Sequence, residues 1–489
     1  MKKKTDRLLR PFENCIYTGD TRTYVKGKYR ILPLLLSLLL LGLPLAGCAT
    51  SSASVTEAAE SVQTFGSAVA ADSEAPAAAE SAEAAESVPE PTEDAQSGNA
   101  DAGPTETAQP EATDTIAPQT DLSETENTAA EADPSAGNET AGDPAAIAAA
   151  YLENMTLREK VLQRFMVAPE QLTDGTAVTE CGEALQQAIQ ENPVGGIICF
   201  AQNLVDREQS IALLADLQAS ASTGLFLAVD EEGGLVSRVG SNAAMGATCF
   251  GPMGDVSSED EAYNVGLTIG NDLKALGFNL DFAPVADVNS NPSNPVIGTR
   301  AFSDDPQETA DLVAACVSGF RDSGILCTLK HFPGHGDTDT DSHYGEAKTM
   351  KTQSELESCE LIPFAAGIAA GAELVMVGHI TAPNITGETE PASLSHYFVT
   401  ELLRNSMGFE GVIITDSMRM EAITDSYSAG EAALLAMEAG CDIVLMPDDL
   451  EAAVTAVVEA IENGSMSESD LDSSVLRILT LKAELGLLQ

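Results

Sequence analysis

The chain has 489 residues and a formal charge of −52, from 76 acidic side chains against 24 lysines and arginines. Charge of that sign and size argues against nucleic acid or an anionic membrane surface as a partner. Aromatic residues make up 4% with no tryptophan, which argues against a tryptophan-lined carbohydrate-binding module, while the 44% of hydrophobic residues suffices for one large core.

Residues 1–30 are basic, residues 31–45 are almost wholly apolar, and Leu45-Ala46-Gly47-Cys48 follows. The apolar run falls short of the roughly 20 residues that span a bilayer. Small residues before a cysteine resemble a bacterial lipobox, so residues 1–47 are expected to be a signal peptide and Cys48 the lipidated N-terminus of an extracytoplasmic, membrane-anchored protein. An uncleaved signal anchor is the alternative. Residues 49–144 hold 21 acidic residues, no lysine or arginine, and Phe65 as their one aromatic. Such a segment buries too little to offset its ordering entropy, so residues 48–145 are expected to be the lipidated cysteine and a disordered acidic tether. The seven cysteines beyond Cys48 form no C-x-x-C pair and are read as buried thiols, with a single disulfide left open.

From residue 146 to 489 short apolar runs alternate with amphipathic stretches. Strands are predicted at 165–168, 196–200, 225–230, 279–285, 326–331, 374–380, 411–416 and 443–446. Helices are predicted near 181–191, 206–221, 259–276, 306–323, 353–370, 395–406, 428–439 and 449–462, with a last one near 468–485. Eight strand-then-helix units point to an α/β fold of the (β/α)8 TIM-type barrel class. The rival, a doubly wound open sheet, would carry a glycine-rich phosphate turn after the first strand, where Pro169-Glu170-Gln171 stands instead.

Strand ends at the C-terminal side of a barrel converge on one mouth. Here they carry Asp230, Asp281 with Asp287, Lys330-His331, His379 and Asp416. The loop after the fifth strand adds Pro333, Gly334, His335, Gly336 and a run ending in Asp341-Ser342-His343, the form of an active-site flap. In an extended segment Asp341 and His343 point the same way, so the carboxylate can fix the imidazole tautomer and leave the other nitrogen free for proton transfer. Asp337, Asp339 and Asp341 mimic the start of a calcium loop, but Ser342 and Lys348 stand where its glycine and bidentate glutamate belong. His331, His335 and His343 match no common zinc spacing, and Lys330 beside them opposes a cation. No metal or other cofactor is expected.

These residues, with Met155-Thr156-Leu157-Arg158-Glu159-Lys160, Asp230-Glu231-Glu232-Gly233-Gly234, Phe282 to Val288, Ile297 to Phe302 and Thr415-Asp416-Ser417-Met418, resemble the family 3 glycoside hydrolases in their bacterial β-N-acetylhexosaminidase branch, over nearly all of residues 150–489. The resemblance implies a retaining exo-β-N-acetylglucosaminidase acting as a monomer on cell-wall fragments or related glycans. Asp416 would be the nucleophile, His343 the acid and base oriented by Asp341, and Asp230, Arg238, Arg300, Lys330 and His331 the residues that hold the sugar. Leu235 stands where family members commonly carry arginine. Many family 3 β-glucosidases take their acid/base from a second α/β domain for which this chain has no room, which leaves the loop histidine as the candidate. The alternatives are a phosphorylase using the same covalent intermediate, another family 3 β-glycosidase, and a non-catalytic sugar-binding lipoprotein.

Overall fold

The computed structural model describes residues 142–488, apart from 174 and 176. The expected signal peptide, Cys48 and all but the last four residues of the expected tether lie outside the described residues.

Eight parallel strands form the centre: β1 (Phe165–Val167), β2 (Gly196–Ile198), β3 (Phe226–Val229), β4 (Leu280–Asp281), β5 (Leu326–Phe332), β6 (Leu374–Val377), β7 (Val412–Thr415) and β8 (Val444–Leu445). They are ordered β8-β1-β2-β3-β4-β5-β6-β7. A parallel bridge between Ile414 and Ile443 joins the two ends, giving the (β/α)8 barrel expected from the alternation.

The strands read as nearly continuous apolar runs because both faces are covered. Met166, Phe226, Ala228, Leu280, Phe282, Met376 and Ile414 point into the barrel. Their neighbours Val167, Leu227, Val229, Leu329, Val377 and Ile413 pack outward with the helices. The helix Glu468–Glu484 contributes Ile478 and Leu481 to the inner cluster, so it plugs the N-terminal end of the barrel.

Two helices precede β1 that the periodicity does not reveal, Pro144–Asn154 and Leu157–Gln163. The first begins two residues before the expected domain start and packs along Glu468–Glu484. The second has a readable start: Thr156 N donates to Glu159 Oε2 at 2.7 Å and Glu159 N to Thr156 Oγ1 at 3.3 Å, the reciprocal cap of a T-x-x-E sequence.

Three expected elements differ in detail. The fourth strand is cut to two residues because Pro284 has no N–H to donate, and pairing resumes as a bridge between Val285 and Lys330. The helix expected over 353–370 splits into Gln353–Glu357 and Leu361–Ala370. Pro363 is tolerated in a first turn but would clash with the carbonyl of Cys359 inside a continuous helix. Tyr397–Ser406 winds as a π-helix. Among the described residues, six of the seven expected buried thiols are free, five of them buried.

The plugging helix also buries Lys482. Its Nζ donates to Gln163 Oε1 at 2.7 Å and lies 5.2 Å from the centre of the Phe226 ring. Burial pushes the ammonium from its ordinary 10.5 down to about 7. The unfolded chain holds this proton to higher pH than the folded one, so the group makes stability rise from near pH 7 toward pH 10.5. Lys482→Met is therefore expected to raise the unfolding free energy at pH 7 by on the order of 2 kcal/mol, an advantage that fades as pH approaches the unfolded value. Urea unfolding of both chains across that range checks it.

Candidate active site

The mouth begins at the loop after β3. Glu231 turns inward and accepts from Arg238 N (2.7 Å), Val239 N (2.7 Å), Gly240 N (3.1 Å) and Ser237 Oγ (2.5 Å). One buried carboxylate thus folds the segment that brings Arg238 to the cavity. Glu231 N donates in turn to Asp281 Oδ1 at 2.9 Å. Asp281, read from sequence as a strand-end polar group, is fully buried below the mouth rather than lining it. Burial is the main cause that pushes both carboxyls above their usual range, Asp281 well above it.

Glu232 has the opposite fate. Arg300 grips it with Nε to Oε2 at 2.8 Å and Nη2 to Oε1 at 2.8 Å, and Lys330 Nζ lies 2.6 Å from Oε1. Burial would raise this carboxyl, but the two cations outweigh it and hold the group far below the carboxylate range. Lys330 also donates to Asp230 Oδ1 at 2.7 Å. Its ammonium, opposed by burial, is raised on balance by Asp230 and Glu232.

At the end of β5, His331 Nδ1 is 2.7 Å from Asp287 Oδ2, and Nε2 is 3.4 Å from Arg300 Nη2. A guanidinium only donates, so Nε2 accepts and the Nδ1 proton faces Asp287. Asp287 is fully buried, and His331 and His335 overcome the effect of burial to lower its carboxyl.

Asp416 follows β7. Its N–H donates to Val377 O at 2.9 Å, and its Oδ1 accepts Ser417 N at 2.7 Å. Burial pushes this carboxyl up, but His331, His379 and the Ser417 amide pull it below the usual range on balance. His379 stands behind it, with Nε2 donating to Ser417 O at 2.9 Å and Nδ1 paired with Ser393 Oγ at 2.7 Å.

One cavity of about 160 Å³ is lined by Asp230, Arg238, Arg300, Lys330, His331, His343 and Asp416, against an apolar wall that includes Phe282, Met376 and Leu445. Asp341 lies one contact back, its Oδ1 2.8 Å from His343 Nδ1. Every site residue expected from sequence, Cys48 aside, therefore meets at this mouth. The extended segment expected for Asp341 and His343 is instead a 3₁₀ turn, Ser342–Tyr344, which Asp341 caps by accepting His343 N at 3.0 Å. A carboxylate that accepts the amide two residues on closes a turn, which is why alternation fails here. Arg238 Nε is buried without a partner, a donor left for a ligand. Leu235 is 65% exposed, outside the cavity.

Sequence reasoning assigns no role to Glu232, Asp287, His335 or His379. The signal that was available for Glu232 is its spacing of two from Asp230. Asp287 and His379 were visible as polar strand ends. Larger clefts of about 510 and 560 Å³ open beside Glu373 and Arg164 at the other end of the barrel, away from these residues.

Comparison with known proteins gives the same direction. The glycosyl hydrolase family 3 N-terminal domain matches residues 156–481. A protein named β-hexosaminidase A from Pseudoalteromonas piscicida is 36% identical over 342 residues, 63% of this chain and 56% of the relative, so this chain spans little more than half of that protein's length. A β-hexosaminidase from Xylella fastidiosa (strain M23) is 38% identical over 276 residues, 55% of this chain and 81% of the relative. Among solved structures, a family 3 β-N-acetylglucosaminidase from Paenibacillus sp. str. FPU-7 superposes with a TM-score of 0.64 at 38% identity, covering 68% of this chain and 63% of that one. With its barrel, its mouth residues and a match over two thirds of its length, the chain belongs to glycosyl hydrolase family 3.

Proposed function

We propose that the protein is a retaining exo-β-N-acetylglucosaminidase that removes terminal GlcNAc from cell-wall fragments or related glycans. The observation that carries this reading is a carboxylate held ionised, Asp416, in the same small cavity as an imidazole, His343, whose Nδ1 is occupied by Asp341. Asp416 attacks the anomeric carbon while His343 Nε2 delivers a proton to the departing oxygen. The resulting ester is then cleaved by a water that gives its proton back to His343. A carboxylate with a depressed pKa is a good leaving group in that second step. Before the first step and after the second, when His343 carries the proton, the negative charge of Asp341 steadies the imidazolium without lying beside the nucleophile; between the steps it holds the neutral ring with Nε2 free to act as base.

Sugar recognition falls to the charged floor. Asp230 and Lys330 offer an acceptor and a donor to hydroxyl groups, Arg238 brings its unpaired Nε, and Arg300 with His331 forms the far side. The small volume favours one terminal residue over an internal stretch of chain, and the relatives' names favour an N-acetylated sugar. The names also motivate hydrolysis as the reaction. We further propose that Cys48 carries lipid, that the acidic segment after it acts as a tether, and that the enzyme works as an extracytoplasmic monomer at the cell membrane. The support for anchoring is the apolar run ending in Leu45-Ala46-Gly47-Cys48.

Asp416→Ala should abolish turnover of every substrate. His343→Ala should spare nitrophenyl N-acetylglucosaminides in part, because nitrophenolate leaves unprotonated, and lose roughly 10²–10⁴-fold with alkyl or sugar leaving groups. Chromogenic assays of the nitrophenyl substrate and measurement of free GlcNAc from the alkyl and sugar substrates check both, and repeating them with phosphate separates hydrolysis from phosphorolysis; a protein that binds GlcNAc but turns over nothing would be a sugar-binding lipoprotein instead.

Glu232→Gln removes the carboxylate shared by Arg300 and Lys330. The expected loss is on the order of 3 kcal/mol of stability, from cations left short of counter-charge, with kcat/KM falling about 10²-fold as the floor shifts. Thermal melts and steady-state kinetics measure the two effects. For the anchor, mass spectrometry of membrane-extracted protein should find a mature chain that starts at a lipid-modified Cys48; a mature chain starting near Met1 would refute it.

A further inference from the structure

His343 sits on a turn whose hold on the barrel is not explained by its pairing with Asp341. Asp341 Oδ1 accepts both the backbone N–H and the ring Nδ1 of His343, at 3.0 and 2.8 Å. Both partners belong to the same turn, so the pair fixes the ring relative to the turn and not the turn relative to the sugar site. The His343 side chain is 58% exposed, which leaves surrounding side chains little grip on it.

Ser342, between them, faces the other way. It is 2% exposed, and its Oγ lies 3.0 Å from His335 Nε2. With three residues per turn, successive side chains of a 3₁₀ turn point about 120° apart, so an inward Ser342 leaves the next residue, His343, on the open side. Among the described residues this is the side-chain hydrogen bond that leads from residues 341–345 into the barrel mouth.

His335 is itself firmly seated. It is 2% exposed, its N–H donates to Asp287 Oδ1 at 2.6 Å, and its Nδ1 is paired with Thr338 Oγ1 at 2.8 Å. The backbone beside it is pressed against the segment after β4: a Cβ at Gly336 would lie 1.7 Å from Val288 O, so no side chain fits there. Asp287 is also the partner of His331. A single run of contacts thus leads from the sugar-holding floor, through Asp287 and His335, to the turn that carries the proton donor.

We infer that His335 is a positioning residue for the acid/base, setting where His343 stands over the leaving-group oxygen through its hydrogen bond to Ser342. The inference rests on the reading of His343 as the proton donor. A displaced donor harms only those substrates whose leaving group needs a proton, whereas a general loss of structure harms all of them.

The test compares kcat/KM, which reports bond cleavage, for a dinitrophenyl N-acetylglucosaminide and for an alkyl glycoside or disaccharide of the same sugar. Ser342→Ala should lose on the order of 10–10²-fold with the alkyl glycoside or disaccharide and change little with the dinitrophenyl substrate. Ser342→Thr, which keeps the hydroxyl, should restore the lost rate. His335→Gln, whose amide can still reach Ser342, should be milder than His335→Ala and carries the same comparison should Ser342→Ala fail to fold. Equal losses on both substrates, or none, would overturn the role of His335. If instead His343→Ala itself shows no dependence on the leaving group, or the wild-type chain cleaves no N-acetylglucosaminide, the proposed function falls and not merely this inference.

Discussion

Lys330 is almost wholly buried at the barrel mouth, and the arrangement of the site follows from that one ammonium. A lone cation there would face a desolvation cost of several kcal/mol, so it must be surrounded by carboxylates. Asp230 and Glu232 meet it at 2.7 and 2.6 Å. Two carboxylates on one cation leave an excess of negative charge, which Arg300 answers by closing on Glu232. Arg300 then borders His331, which needs Asp287, and Asp287 gathers the backbone of the loop that follows. Each charge requires the next, so the floor is held as a unit.

The buried carboxylates divide into two classes by their company. Glu231 and Asp281 have neutral donors, and burial drives their carboxyls up. Glu232, Asp287 and Asp416 have cations or imidazoles beside them, and their carboxyls are driven down. Glu231 and Glu232 are adjacent in sequence and end in opposite states, one shaping a loop and the other anchoring two cations. Residue type at a strand end therefore does not fix chemical role. The partners that the fold brings do.

That division marks what was legible in the sequence. The barrel could be read because its strands are apolar on both faces and recur with helices between them. The mouth could be read because Asp230, Lys330, His331 and Asp416 interrupt apolar runs at matching ends. Glu232 and Asp287 were visible as polar residues without a task, since their tasks depend on Arg300 and His331, which lie 68 and 44 residues away in the chain. The opening helices escaped notice because Pro144–Asn154 is alanine-rich and nearly without an amphipathic pattern. The turn at Asp341 departs from the extended segment that alternation suggests because a side chain bonded to the backbone amide two residues on overrides that alternation.

The nucleophile and the proton donor stand on supports of unequal rigidity. Asp416 is fixed by the end of a central strand, while His343 rides on a single turn that is largely open to solvent. A change at the exposed positions of the turn, His343 and Tyr344, would leave the barrel's packing untouched. Descendants of such a scaffold can therefore exchange the proton donor, or move it toward a different leaving group, without rebuilding the sugar site. In this architecture the donor is the replaceable part, free to diversify while the pocket for the sugar keeps its shape.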